Sequence, residues 1–486
     1  MRRALNIQTV FYILGYLVLL IGLMQLLPLG ISLVYGEGLS AELAAAMLCA
    51  VVSGLLAIRF FHNGNDLSLR DGFLVVGLGW FLMALFGALP YVFSGSISSF
   101  SNAFFESMSG FTTTGASILT EIEAMPRALL FWRAFTHWIG GMGIIVLSLA
   151  ILPLLGIGGM QLFKAEVPGP TADKLTPRIK DTARVLWLVY VGITMAEVVL
   201  LLLGGMDLFD AVCHAFATMA TGGFSTRGAS IQAYDSAYID TVITLFMFLA
   251  GTNFALHYKF LLGRFNAFWR DFEFKAFLGI ALGTTLVITL SNRLGGVFDS
   301  FLESLRYGAF QAVSIGTTTG FVTADYELWT PLAQILIFML MFIGGSAGST
   351  GGGMKVVRLI VVVKQGLIEL RRLLHPQAMI PLKLGRRVVP RQVVRSIIGF
   401  FLCYIGLFVL VSLFMTMLGL DLVTAIGASA SCLGNIGPGL GLVGPTENFA
   451  FIPVIGKWIL ALSMMVGRLE VYTILVLLTR DFWRRN

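Results

Sequence analysis

Four short glycine turns punctuate this chain, each set between two long apolar segments. They read Thr113-Thr114-Gly115-Ala116, Thr221-Gly222-Gly223-Phe224, Thr318-Thr319-Gly320-Phe321 and Asn435-Ile436-Gly437-Pro438. Aligned on the third residue, Gly115, Gly223, Gly320 and Gly437 are separated by 108, 97 and 117 residues. A polar glycine turn repeated four times in apolar sequence points to four backbone segments meeting at one place. That is how carbonyl oxygens come to line an ion filter. Turning successive C=O groups inward calls for backbone angles that side-chain-bearing residues adopt reluctantly, including φ > 0, which glycine supplies. Thr113, Thr221 and Thr318 are placed to offer hydroxyl as well as carbonyl oxygen, and Asn435 an amide oxygen in the fourth copy. Thr114, Thr319 and Ile436 are placed to pack behind the turns; Gly222 breaks that pattern.

The rest of the chain fits only a membrane. Of its 486 residues, 57% are hydrophobic and 12% charged, against roughly 25% charged in soluble domains. Ten long apolar segments are expected, near 9–34, 40–60, 72–95, 128–156, 181–205, 238–262, 273–293, 329–370, 393–418 and 450–480. Each is long enough to span a bilayer. Four half-apolar stretches, near 98–111, 207–220, 299–315 and 421–433, each run into one glycine turn. They are too short to cross and return, and read as re-entrant pore helices, tolerated at membrane depth where they line a cavity or are buried in protein. The first apolar run outlasts a signal-peptide core and reads as a retained helix.

Charge sets the orientation. With the N-terminus inside, the inner segments hold 25 of the 33 Lys and Arg residues, ten of them between Lys355 and Arg395. The positive-inside rule then places both termini in the cytoplasm and all four turns on the outer side. The net charge of +7 therefore reports topology, not nucleic-acid binding.

The expected architecture is an all-α polytopic membrane protein. An N-terminal two-helix hairpin (1–68) precedes four pseudo-repeats of helix, pore helix, filter loop and helix, at 69–160, 161–265, 266–375 and 376–486. The third repeat has a broken second helix, interrupted by Gly344-Gly345-Ser346-Ala347-Gly348-Ser349-Thr350-Gly351-Gly352-Gly353, since glycine is a poor helix former. Such a loop below the turns is suited to line or plug a cavity and act as a gate. Arg468 stands in the final apolar segment; a charge there is costly and usually faces water or a partner. Glu470, two residues on, points to another helix face and is free to pair elsewhere. Glu197, His137 and His257 read as packing or interface residues.

Other chemistries are poorly supported. The stretch from Gly348 to Lys355 resembles a phosphate loop, but Met354 stands where the lysine belongs and Val356 follows Lys355. The GxGxxG run 439–444 follows a turn, not a strand, so both nucleotide motifs fail on context. Cys49, Cys213, Cys403 and Cys432 form no CxxC or zinc pattern, and five scattered histidines with no HExxH or GxSxG argue against an enzyme. The competing transport reading is a secondary transporter of a small organic solute with a midplane site at broken helices.

The four turns, the glycine-rich break and the arginine of the last helix together resemble the Trk/Ktr/HKT superfamily of potassium transporters, and within it the TrkH-type membrane subunit, with TrkH and TrkI types fitting equally well. The resemblance covers essentially the whole chain. It implies a potassium-channel-like fold, a homodimer in the bacterial inner membrane, and K⁺ uptake as symporter or channel. It also implies a cytosolic nucleotide-binding regulatory partner of the TrkA type, with no cofactor bound by this chain. By the same resemblance, Thr113, Thr114, Gly115, Thr221, Gly222, Gly223, Thr318, Thr319, Gly320, Asn435, Ile436 and Gly437 would form the potassium filter. The residues Gly344, Gly345, Ser346, Ala347, Gly348, Ser349, Thr350, Gly351, Gly352, Gly353 and Arg468 would form the gate. Relatives that favour sodium carry serine at the first glycine, where this chain keeps Gly115.

Overall fold

The computed structural model describes residues 5–61, 68–150, 179–385 and 387–484. The basic residues Arg2, Arg3, Lys164, Lys174, Arg178, Arg386 and Arg485, which contribute to the charge asymmetry, lie outside them. Helices dominate, and one two-residue-per-strand hairpin, Lys383–Leu384 with Arg387–Val388, is the sheet seen among the described residues.

The N-terminal hairpin pairs Ile7–Met24, continued by Leu26–Tyr35, with Ser40–Phe60. The two helices approach closely because Gly15, Gly22 and Gly54 lie at the crossing; a methyl on Gly54 would sit 2.6 Å from the Leu19 nitrogen. Small residues at a helix crossing are the usual device where lipid provides no hydrophobic drive. Asp71 ties this hairpin to the first long helix of the repeats, Leu69–Gly87. It closes a capping box with Ser68 and also accepts the Asn6 N–H at 2.8 Å.

Thereafter one pattern recurs four times: long helix, short helix, glycine turn, long helix. The short helices are Phe100–Phe111, Leu208–Met219, Phe301–Gly316 and Leu422–Gly434. Their residues are largely buried in protein, while the flanking long helices expose leucines such as Leu286, Leu290, Leu410 and Leu413. Leucines exposed on the outer faces, over a core that is itself largely hydrophobic, fit a lipid surround.

The second long helix differs among the four. In the first repeat, Arg127–Ala150 is continuous. In the third, Pro331–Leu340 and Val356–Leu374 are separated by residues 341–355, as the glycine run predicts. The segments expected to be unbroken at 238–262 and 450–480 are also interrupted. Ala237–Ala250 and Phe254–Leu261 meet at 101°, and Val454–Arg468 and Tyr472–Leu478 at 119°. The first bend has a local cause: the Asn253 side chain caps the following helix by accepting the Ala255 N–H at 2.8 Å. At the second, Glu470 and Val471 take φ of +56° and +31°, angles that end a helix.

Candidate functional site

All four short helices terminate identically. The amides of Thr114, Gly222, Thr319 and Ile436 reach back five residues to the carbonyls of Ser109, Ala217, Ser314 and Ser431, at 2.9, 2.8, 2.8 and 3.0 Å. The residue just before each, Thr113, Thr221, Thr318 or Asn435, has φ of +51°, +54°, +64° or +55°. This is the left-handed cap that closes a helix C-terminus, a place usually held by glycine. Asparagine tolerates that conformation; threonine, being β-branched, does so at a cost. Sequence reasoning gives the left-handed backbone to the glycines alone. It extends over both: Gly115, Gly223, Gly320 and Gly437 follow at +82°, +79°, +83° and +105°.

The four turns form a closed ring. A methyl added to Gly115 would strike the carbonyl oxygen of Gly222. On Gly223 it would strike that of Thr319, and on Gly320 that of Ile436. On Gly437 it would lie 2.9 Å from the carbonyl oxygen of Thr114, which returns to the first repeat. Each glycine thus makes room for one carbonyl oxygen of the next turn around. The same four positions, one residue before each glycine, supply all four oxygens.

Polar side chains brace the turns from behind, and their regularity is visible once the copies are aligned. Nine residues before each glycine stand Glu106, His214, Gln311 and Ala428. Glu106 accepts from Ser117 Oγ at 2.9 Å and the Ile118 amide at 2.9 Å. His214 holds Ser225 Oγ through Nε2 at 2.9 Å, and Gln311 reaches Thr323 Oγ1 at 3.5 Å. Glu106 also pairs with Arg133 at 2.8 Å, both side chains almost fully buried. Arg133 Nη1 in turn donates to the Ser225 carbonyl at 3.2 Å, linking the first and second turns. Sequence reasoning missed these braces; the position-specific polarity of short helices that are otherwise apolar was the available signal.

The interrupted loop of the third repeat lies against the C-terminal ends of the short helices. Gly352 N–H donates to Thr318 Oγ1 at 2.6 Å and Gly353 N–H to the Gly434 carbonyl at 3.0 Å. Thr350 Oγ1 donates to the carbonyls of Met219 at 3.0 Å and Ala250 at 3.1 Å. Ser346 N–H donates to the Gly251 carbonyl at 2.8 Å, and the Gly348 carbonyl accepts from the Phe254 amide at 3.1 Å. The loop is therefore seated in the bend of the second repeat, and the two helix breaks interlock.

Arg468 is brought to the same loop. It is the last residue of its helix, where a cation meets the negative end of the helix dipole. Only 2% exposed, it donates to the Thr350 carbonyl at 2.7 Å and to the Gly140 carbonyl of the unbroken first-repeat helix at 3.2 Å. Lys355, buried in the loop, donates from Nζ to the Gly351 carbonyl. Glu470 does not pair with Arg468: it binds Arg358 at 2.7 Å, in the helix after the loop. His257 donates a ring N–H to the Leu249 carbonyl at 3.0 Å, at the second-repeat bend.

Residues 38–484 match the model of the family described as TrkH, cation transport protein. The chain is 43% identical over 486 residues to the Trk system potassium uptake protein TrkH of Salmonella typhimurium, covering 99% of this chain and all of that protein. It is 35% identical to TrkG of Escherichia coli, covering 99% of each. Its fold is similar to the crystal structure of the potassium transporter TrkH from Vibrio parahaemolyticus, with a TM-score of 0.91 and 39% identity over 98% of this chain and 99% of that one. Similarity of that extent, in sequence and in fold, leaves no segment of consequence outside the match: the chain belongs to the TrkH family of cation transport proteins.

Proposed function

We propose that this protein takes up potassium across the bacterial inner membrane through a filter formed by the four glycine turns. The observation that carries the reading is the ring in which each turn's glycine makes room for a carbonyl oxygen of the next. Oxygens presented by backbone held in fixed, strained angles can replace the hydration shell of a dehydrated cation without reorganising. The Trk names of the relatives supply the ion. Thr113, Thr221, Thr318 and Asn435 line the inner end of the filter, and Thr114, Gly222, Thr319 and Ile436 supply the carbonyl ring.

The gate is the loop of residues 344–353 with Arg468. The bonds from Gly352 to Thr318 and from Gly353 to Gly434 support this reading, in which Arg468 and Lys355 add positive charge in the cation's path. A TrkA-type nucleotide-binding subunit on the cytosolic side would act on this loop through the helix Val356–Leu374, and the assembly is a homodimer with both termini inside. The hairpin occupies 1–68 and the four repeats 69–160, 161–265, 266–375 and 376–486.

The test is transport in proteoliposomes under K⁺ and Na⁺ gradients. Gly115→Ser adds a side chain that must displace the Gly222 carbonyl, and it is expected to reduce the K⁺ to Na⁺ permeability ratio by roughly tenfold or more, the effect of about 1.4 kcal/mol. An unchanged ratio would sink the filter assignment.

A further inference from the structure

Three turns carry a side chain at the position before the glycine, and the space behind each is filled by it. In the first, Thr114 Oγ1 bonds Thr112 Oγ1 at 2.8 Å; in the third, Thr319 bonds Thr317 in the same way at 2.8 Å. In the fourth, Ile436 fills the space alone, and its Cδ1 takes the room that a side chain on Gly434 would need. The second turn has neither device, with Ala220 and Gly222 at the two positions.

The missing volume is supplied from another repeat. A methyl on Gly222 would fall on the imidazole of His137, a fully buried residue of the helix Arg127–Ala150. Gly222 itself is not in the left-handed region, so its backbone accepts a side chain, and the nearest atoms in that place are those of the histidine ring. The ring is clamped. It stacks on Phe224 with centroids 4.1 Å apart and planes at 12°, and Arg133 lies 4.0 Å from the centroid of the same phenyl ring. Two planar groups that close to one ring take its two faces. His137 and Arg133 are four residues apart and so project from one side of their helix, with Arg133 anchored on Glu106.

We propose that His137 is a specificity-determining positioning residue. Its ring stands in for the side chain that the second turn lacks, and holds the Gly222 carbonyl in the ring of four. The proposal rests on the filter reading. It assigns to one repeat the support of another repeat's turn, so the selectivity of the second turn depends on the first repeat's inner helix.

The test is a swap measured as the K⁺ to Na⁺ permeability ratio in proteoliposomes, with melting temperature followed in parallel. His137→Ala is expected to lower the ratio roughly tenfold by releasing the turn. Gly222→Val alone is expected to lower it as well, because valine meets the imidazole. The double variant is expected to recover most of the ratio. Valine is chosen over isoleucine because Ala220 occupies the room that Gly434 leaves for the Cδ1 of Ile436. An unchanged ratio in His137→Ala, or a double variant no better than either single one, overturns the proposal. Should His137→Ala fail to accumulate, the double variant decides: retention of the ratio supports the proposal, and its collapse refutes it. Gly115→Ser, run alongside, separates the two readings. If it changes the ratio while His137→Ala does not, the filter stands and only the role of His137 falls.

Discussion

At the scale of single residues, the ring of glycine turns is a set of compromises between backbone angle and space. The glycines were legible in the sequence because nothing else repeats at those four places. The threonines at positive φ were not, because threonine carries no outward sign of a left-handed preference; only the closure of each short helix forces it. The available room differs among the four glycines. At Gly320 an added methyl would meet the Ile436 carbonyl far inside contact distance, whereas at Gly437 the Thr114 carbonyl, 2.9 Å away, would have to give by much less. Gly320→Ala is therefore expected to abolish selective K⁺ uptake in a strain lacking its own uptake systems, and Gly437→Ala, strained by its φ of +105° but less crowded, to lower it less completely. Growth over a series of limiting K⁺ concentrations reads the ranking, and the reverse order would contradict the geometry.

At the scale of elements, the broken helix of the third repeat was readable from its ten-residue glycine-rich run. The bends of the second and fourth repeats were not. One depends on a single asparagine cap and the other on a partner, Arg358, more than a hundred residues away from Glu470. Arg468 fastens the loop to Arg127–Ala150, the one second long helix that is unbroken. Hydrogen bonds from a charged donor contribute about 1.5–3 kcal/mol, which corresponds to a ~10- to 150-fold shift in population. Arg468→Ala is thus expected to raise K⁺ flux in proteoliposomes by roughly tenfold or more without the cytosolic subunit. Flux equal to or below that of the unaltered protein would show that the arginine does not hold the loop shut.

For the whole molecule, hydropathy was sufficient to find the succession of long and short helices, since a bilayer demands long apolar spans and closed backbone hydrogen bonding. They did not reveal which repeat supports which, because the links between repeats are side chains such as Arg133 and His137 that look like ordinary core residues in one dimension. The orientation has a direct check. Cysteines placed at Glu121 and at Gly385, in a background without the four native cysteines, are expected to react with a membrane-impermeant thiol reagent from opposite sides, Glu121 from outside and Gly385 from the cytosol. Labelling of both from one side would invert the topology.

The cyclic order of the turns also bears on how the protein is made. The space beside Gly437 is filled by Thr114, so the first turn to emerge from the ribosome waits for the last one. Until the fourth repeat enters the membrane, the oxygen of Thr114 lacks the neighbour it has in the finished ring, and the three earlier turns form an open arc. A nascent or truncated chain therefore holds an unfinished ring of carbonyl oxygens, and the fourth repeat is what completes it.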